Sequence, residues 1–162
     1  MLARLGVRVE AVGAVQAAGR QITVVAGTSE ADAPPGRRLT LIVDVTPAPR
    51  MHVYAPGQPG YIPIGMTLDE TPDVRAGPSR FPAPGTYFFE PLNETVKVFA
   101  KPFRITQEVT LGLSRELRQR AAARETLTLT GRLDYQACDD TVCYRPDSIP
   151  LRWTIRLLPY QQ

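Results

Sequence analysis

Cysteine and histidine are almost missing from this 162-residue sequence, which has two Cys, one His, one Trp and three Met. A tetrahedral zinc site draws four ligands from Cys and His, more than the three available here, so no structural zinc site of that kind is expected. No apolar run approaches the roughly 20 residues of a membrane-spanning helix, so no membrane insertion is expected of this segment. Lysine is scarce: 17 of the 19 basic residues are Arg, and they are scattered among 16 acidic residues for a net charge of +3. Without a basic stripe interleaved with aromatics, nucleic-acid binding has no support. Glu90 and Glu94 resemble a carboxylate pair for acid/base hydrolysis. No Ser/His/Asp arrangement or nucleophile turn accompanies them, so that chemistry is not expected.

What is present in excess is Pro (16) and Gly (12). Both interrupt long helices and favour an all-β domain with many turns. With 43% hydrophobic and 22% charged residues, the composition is that of a globular chain of one domain. Period-two alternation marks residues 38–46, where Leu39, Leu41, Val43 and Val45 share a face. It recurs in Leu127, Leu129, Leu133 and Tyr135, and in Ile149, Leu151, Trp153, Ile155 and Leu157. Shorter strands are expected at residues 21–26, 51–54, 62–68 and 73–76. Residues 94–100 and 103–111 read as a pair joined at Lys101-Pro102. Residues 28–36 and 77–91 read as Pro-punctuated connections, and residues 114–123 as a short helix capped by Ser114 with Leu117 inward.

Seven to nine short strands with a late core Trp, Trp153, indicate an immunoglobulin-like antiparallel β-sandwich with at most one short helix, over residues 21–160. Residues 1–20 are Ala- and Gly-rich and are expected to be a linker or the tail of a preceding domain. Arg4, Arg8 and Glu10 interrupt their apolar residues, so they form no secretory h-region. Either an export signal was removed, or the chain is cut from a longer polypeptide.

The two cysteines, Cys138 and Cys143, are only four residues apart, too close in sequence for the inter-sheet disulfide of antibody domains. One reading is a dithiol that cycles with a disulfide, in an oxidising compartment or a redox relay. The bland alternative is a structural disulfide in a non-catalytic protein-binding domain. A soft copper site built with His52 and Met51 or Met66 is a third, weaker possibility. Asp139 and Asp140 follow Cys138 directly, and nearby negative charge raises a thiol pKa, so a sluggish thiol is expected.

The stretch LDYQACDDTVCYRPDSIP, residues 133–150, resembles the N-terminal domain of DsbD-type thiol:disulfide interchange proteins. The matching elements are Tyr135-Gln136-Ala137-Cys138 and Cys143-Tyr144-Arg145-Pro146, with further similarity in MHVYAPG (residues 51–57) and EPLNETVKVF (residues 90–99). The resemblance implies an oxidoreductase module that needs no cofactor or metal and passes electrons between proteins in the periplasm. Cys143 would then form the mixed disulfide with a partner, and Cys138 would resolve it. A cap over the pair would correspond to residues 89–94, with Glu90 in it and Leu92 nearest its tip. Tyr54 and His52 would lie beneath, and Tyr144 with Asp139 and Asp140 would complete the thiol environment. The best-known members have one more residue between the cysteines and a bulky aromatic in the cap, so weaker shielding is expected here. Expected partners are thioredoxin-like or disulfide-isomerase-type proteins, or a redoxin domain upstream in the same polypeptide. Tyr61, Tyr87, Phe88 and Phe89 are expected to be ordinary core packing.

Overall fold

The structure, a computed structural model, describes residues 11–161. In chain order the strands are β1 (Val12–Ala18), β2 (Ile22–Thr28), β3 (Asp32–Ala33), β4 (Arg38–Pro47), β5 (His52–Tyr54) and β6 (Gly65–Leu68). They continue with β7 (Val74–Arg80), β8 (Gly85–Phe89), β9 (Glu94–Phe99) and β10 (Phe103–Leu111), and, after helix α1 (Arg115–Ala122), β11 (Thr126–Tyr135), β12 (Ala137–Cys138) and β13 (Asp147–Leu157). A single 3-10 turn, Glu90–Leu92, joins β8 to β9.

Two sheets form the sandwich. One has the order β1-β2-β4-β10-β7 and the other β3-β13-β11-β6. The alternation seen in the sequence buries Leu41, Val43, Val45, Ile105 and Val109 from the first against Leu129, Leu133, Trp153 and Ile155 from the second. Each such side chain contributes roughly 1.5–3 kcal/mol by leaving water. Trp153 also bridges the layers, its indole N–H donating to the Ile42 carbonyl at 3.3 Å. On the outer face Arg104 and Asp44, directly paired across β10 and β4, form a two-point salt bridge at 2.8 and 3.0 Å. Among the described residues the strand ladders are antiparallel except β3 with β13, which is parallel, as is an isolated bridge between Tyr54 and Pro63. The expected helix is present: the Ser114 hydroxyl accepts from the Leu117 amide at 3.1 Å, and Leu117 and Ala121 are buried.

Residues 94–99 and 103–111 do not pair with each other, contrary to the sequence expectation. β9 belongs to a third sheet, β12-β5-β9-β8, whereas β10 lies in the first. The connection turns a corner between sheets instead of a hairpin. Phe99 and Phe103 stack across it with centroids 4.2 Å apart, and Pro102 has no N–H to lend to a ladder. The two stretches expected as connections also hold strands: β3 in the first, the end of β7 and all of β8 in the second. Of the stretch expected as linker or tail, residues 1–10 lie outside the described residues, and β1 pairs antiparallel with β2 at the edge of the first sheet.

Gly131 sits on the inward parity of β11, opposite Leu68 of β6. A Cβ there would collide with the Thr67 carbonyl, which is backbone and cannot rotate away. Gly131→Ala is therefore expected to destabilise the domain by about 1–3 kcal/mol, the usual cost of overpacking, measured by denaturant unfolding.

Candidate functional site

The third sheet carries the cysteines. β12 ends at Cys138, and the chain doubles back so that Cys138 and Cys143 face each other as an isolated antiparallel bridge. Backbone bonds from Asp139 N to Val142 O and from Tyr144 N to Ala137 O, both 2.9 Å, flank the pair. The cysteines thus occupy a non-hydrogen-bonded position, where opposing strands approach most closely. Their Cα atoms are 4.0 Å apart and the sulfurs are joined as a disulfide.

Asp139 shapes the turn between them. Its carboxylate accepts from the amides of Thr141 (2.8 Å) and Val142 (2.7 Å), the Thr141 hydroxyl (3.0 Å) and the Tyr144 hydroxyl (3.2 Å). This is how a turn with no glycine closes: the side chain takes up the amides that the backbone leaves open. Those amides hold the Asp139 carboxyl at about 2, well below its ordinary 3.8. Asp140 accepts from the Tyr87 hydroxyl at 2.7 Å, a bond that pushes Tyr87 up to about 12 and ties the turn to β8.

β12 is held to the domain through β5, with Ala137 opposite Val53 and Cys138 opposite His52. On its other edge β5 pairs with β9 through Val53 and Tyr54. His52 and Tyr54, two residues apart, present their rings to the same side. Tyr54 stacks on Tyr61 at 4.2 Å, and its hydroxyl oxygen lies 3.8 Å from Cys143 Sγ. Burial and the nearby Glu94 raise the Tyr54 pKa. Tyr61 donates to Glu94 at 2.7 Å and is pushed up to about 12 by that bond, so all three tyrosines keep their protons at neutral pH.

Together these groups enclose a cleft of about 110 Å³ lined by His52, Tyr54, Tyr61, Phe89, Leu92, Thr141, Val142 and the disulfide. The two cysteines are inequivalent: residue Cys138 is 1% exposed, whereas Cys143 is an exposed residue. Leu92 (65% exposed) and Val142 (52%) form an apolar rim. A larger groove of about 770 Å³ runs between β6 and β7, with no thiol in it.

The structure brings Cys138, Cys143, His52, Tyr54, Leu92 and Asp139 to this cleft, and Asp140 and Tyr144 to its supporting turn. Glu90 is exposed in the 3-10 turn and outside the lining. Tyr61, Tyr87, Phe88 and Phe89 are not ordinary core: Phe88 is 55% exposed, Tyr61 lines the cleft, Tyr87 packs on His52 with centroids 4.4 Å apart, and Phe89 lines the cleft. The signal for the last two was the alternation of Gly85, Tyr87 and Phe89 along β8, obscured by Pro82 and Pro84 just before it. Met66 lies on β6, against the sandwich core. Among the described residues, no group of three or more His, Cys, Asp or Glu converges as metal ligands.

A family described as the N-terminal part of the thiol:disulfide interchange protein DsbD matches residues 21–150. The chain belongs to this family. A search of curated proteins finds no match. Among solved structures, the chain is similar to the N-terminal periplasmic domain of ScsB from Proteus mirabilis, at 14% identity and a TM-score of 0.52. The alignment covers 86% of this chain and 49% of that one, so the chain spans about half of that structure, and the likeness is one of fold. A DsbD N-terminal domain with a formed Cys138–Cys143 disulfide is, in general terms, a thiol:disulfide exchange module. No helix among its described residues is long and apolar enough to cross a membrane.

Because the Asp139 carboxyl is held near 2 in the fold against 3.8 ordinarily, its contribution is complete above about pH 4 and is lost as pH falls through 2. Hydrogen exchange at the Thr141 and Val142 amides should report this: protection holds down to about pH 4 and fades below it. Asp139→Ala is expected to remove that protection at every pH while leaving the sandwich amides unchanged.

Proposed function

We propose that this domain relays two electrons between partner proteins through the Cys138–Cys143 pair, with Cys143 the sulfur that partners engage and Cys138 the one that resolves. The observation that carries this assignment is the difference in exposure: an incoming thiolate or disulfide reaches Cys143 from solvent, while Cys138 is covered. Exchange proceeds by in-line attack of a thiolate on a disulfide sulfur, so the reachable sulfur meets the partner first. The buried one is held 4.0 Å away, Cα to Cα, and attacks from within.

A purely structural role is poorly supported. Closing so short a loop stabilises by only about 2 kcal/mol on the chain-entropy model. The turn is already held by the four bonds to Asp139.

Phe89 and Leu92 serve as the cap. The cleft of about 110 Å³ holds no second protein's sulfur and backbone together, so partner docking displaces the 3-10 turn. Partners are thioredoxin-like or disulfide-isomerase-type proteins, or a redoxin domain upstream in the same polypeptide, and the setting is extracytoplasmic. No metal or organic cofactor enters. The charges of Asp139 and Asp140 beside the pair disfavour a free thiolate, which restrains reaction with small molecules until a partner docks.

Two outcomes test this. Cys138→Ala, mixed with an oxidised thioredoxin-like protein, is expected to accumulate a mixed disulfide on Cys143, while Cys143→Ala accumulates none; the opposite pattern would reverse the assignment. The Cys138→Ala thiol should alkylate slowly at pH 7, with a rate that climbs through an apparent pKa at or above about 8.5. Fast alkylation with a lower midpoint would remove the restraint ascribed to the two aspartates.

A further inference from the structure

His52 is the one histidine in the chain, and it is 4% exposed directly beneath the disulfide. It stands opposite Cys138 in the β5–β12 ladder, a placement that brings the two Cβ atoms to roughly 5 Å on one face. Both side chains line the same cleft. The imidazole lies against the Tyr87 ring at 4.4 Å and meets Tyr54 edge-on at 5.7 Å. Neither tyrosine hydroxyl serves it, since Tyr87 donates to Asp140 and the Tyr54 hydroxyl sits beside Cys143 Sγ. His52 Nε2 is buried with no hydrogen-bond partner. Buried polar atoms seldom go unpaired, and one that does calls for an explanation. A disulfide sulfur has no proton to offer; a Cys138 thiol has one.

We propose that His52 is the proton acceptor for the Cys138 thiol in the resolving step. This rests on the exchange reading above, with Cys143 engaged first. The Cys143 thiolate attacks a partner disulfide; a Cys143–partner bond forms, the partner's own S–S bond breaks, and its second sulfur leaves as a thiolate. Cys138 S–H then passes its proton to His52 Nε2, and the Cys138 thiolate attacks Cys143 Sγ. The internal disulfide forms, the mixed disulfide breaks, and the partner's remaining sulfur departs with the electron pair. The imidazolium returns its proton to that thiolate or to water. The domain's dithiol is oxidised and the partner's disulfide is reduced, with no other reactant.

The groups that face His52 are Tyr54 on its own strand, Tyr87 on β8, Cys138 on β12, and the Asp139 and Asp140 carboxylates from the turn. Burial lowers the imidazole pKa below 6.5 and outweighs the opposing pull of Asp140 and Asp139. The ring is therefore neutral and able to accept at pH 7, and the same carboxylates favour the imidazolium while it exists.

The test uses the reduced full chain and Ellman's reagent in stopped flow. The first chromophore release reports attack by Cys143, and the second reports resolution by Cys138. In the wild-type protein the second rate should show an inflection below pH 6.5, set by His52. His52→Phe keeps the ring packing on Tyr87, and His52→Gln keeps a polar group. Either is expected to slow the second release about 100-fold at pH 7, the low end of what a positioned base supplies. The inflection should vanish, with the rate recovering toward wild type only above the thiol's own pKa of about 8.5. A wild-type profile without that inflection, or a folded variant with wild-type rate and profile, overturns the proposal. Absence of any first release overturns the exchange reading with it.

Discussion

Strand β5 is three residues long, wholly buried, and paired on both edges. Through Val53 and His52 it grips the cysteine hairpin; through Val53 and Tyr54 it grips β9, from which the chain runs back to the 3-10 turn over the cleft. The hairpin and the turn therefore share one short strip of backbone as their common support. Burial on both faces holds that strip in register, because a slip by one residue would move His52 and Tyr54 away from the sulfurs and bring Val53 toward them. The geometry of the redox site follows from this one constraint.

The division of labour between sheets follows as well. The two large sheets supply the stability, through the alternating aliphatic faces of β4, β10, β11 and β13 around Trp153. The third sheet has its own small cluster of Tyr54, Val96, Val98 and Cys138, with Tyr61 and Tyr87 partly buried against it. On the proposed exchange reading, a site mounted on this lesser cluster yields to a docking partner without opening the main core. Its polar ties, Tyr87 to Asp140 and Tyr61 to Glu94, are hydroxyl–carboxylate bonds within reach of water, the kind that exchange readily during docking.

The long strands were legible in the sequence because each buries one face, so Leu127, Leu129, Leu133 and Tyr135, or Ile149 through Leu157, alternate cleanly. Helix α1 was legible from Ser114 and the cysteine turn from its spacing and flanking motif. The third sheet was not. Its ladders span two to five residue pairs, too short for a periodic pattern, and strand 94–99 lies three residues from a strand in another sheet, so proximity in sequence suggested a hairpin that does not form. The roles of Tyr61, Tyr87 and Phe89 were hidden for the same reason: an aromatic in a Pro-rich stretch shows that it packs, and only long-range pairing shows against what. The unpaired ring nitrogen of His52 is a property of three strands together and has no local signature.

The most direct test of the account is the reduction potential of Cys138–Cys143 in the folded domain, read by mass spectrometry after equilibration with a glutathione couple. An exchangeable relay pair is expected to open at between about −120 and −270 mV, with the sandwich intact. A bond that stays closed until below about −300 mV, or opens only when the domain unfolds, would make the pair a staple and contradict the central claim.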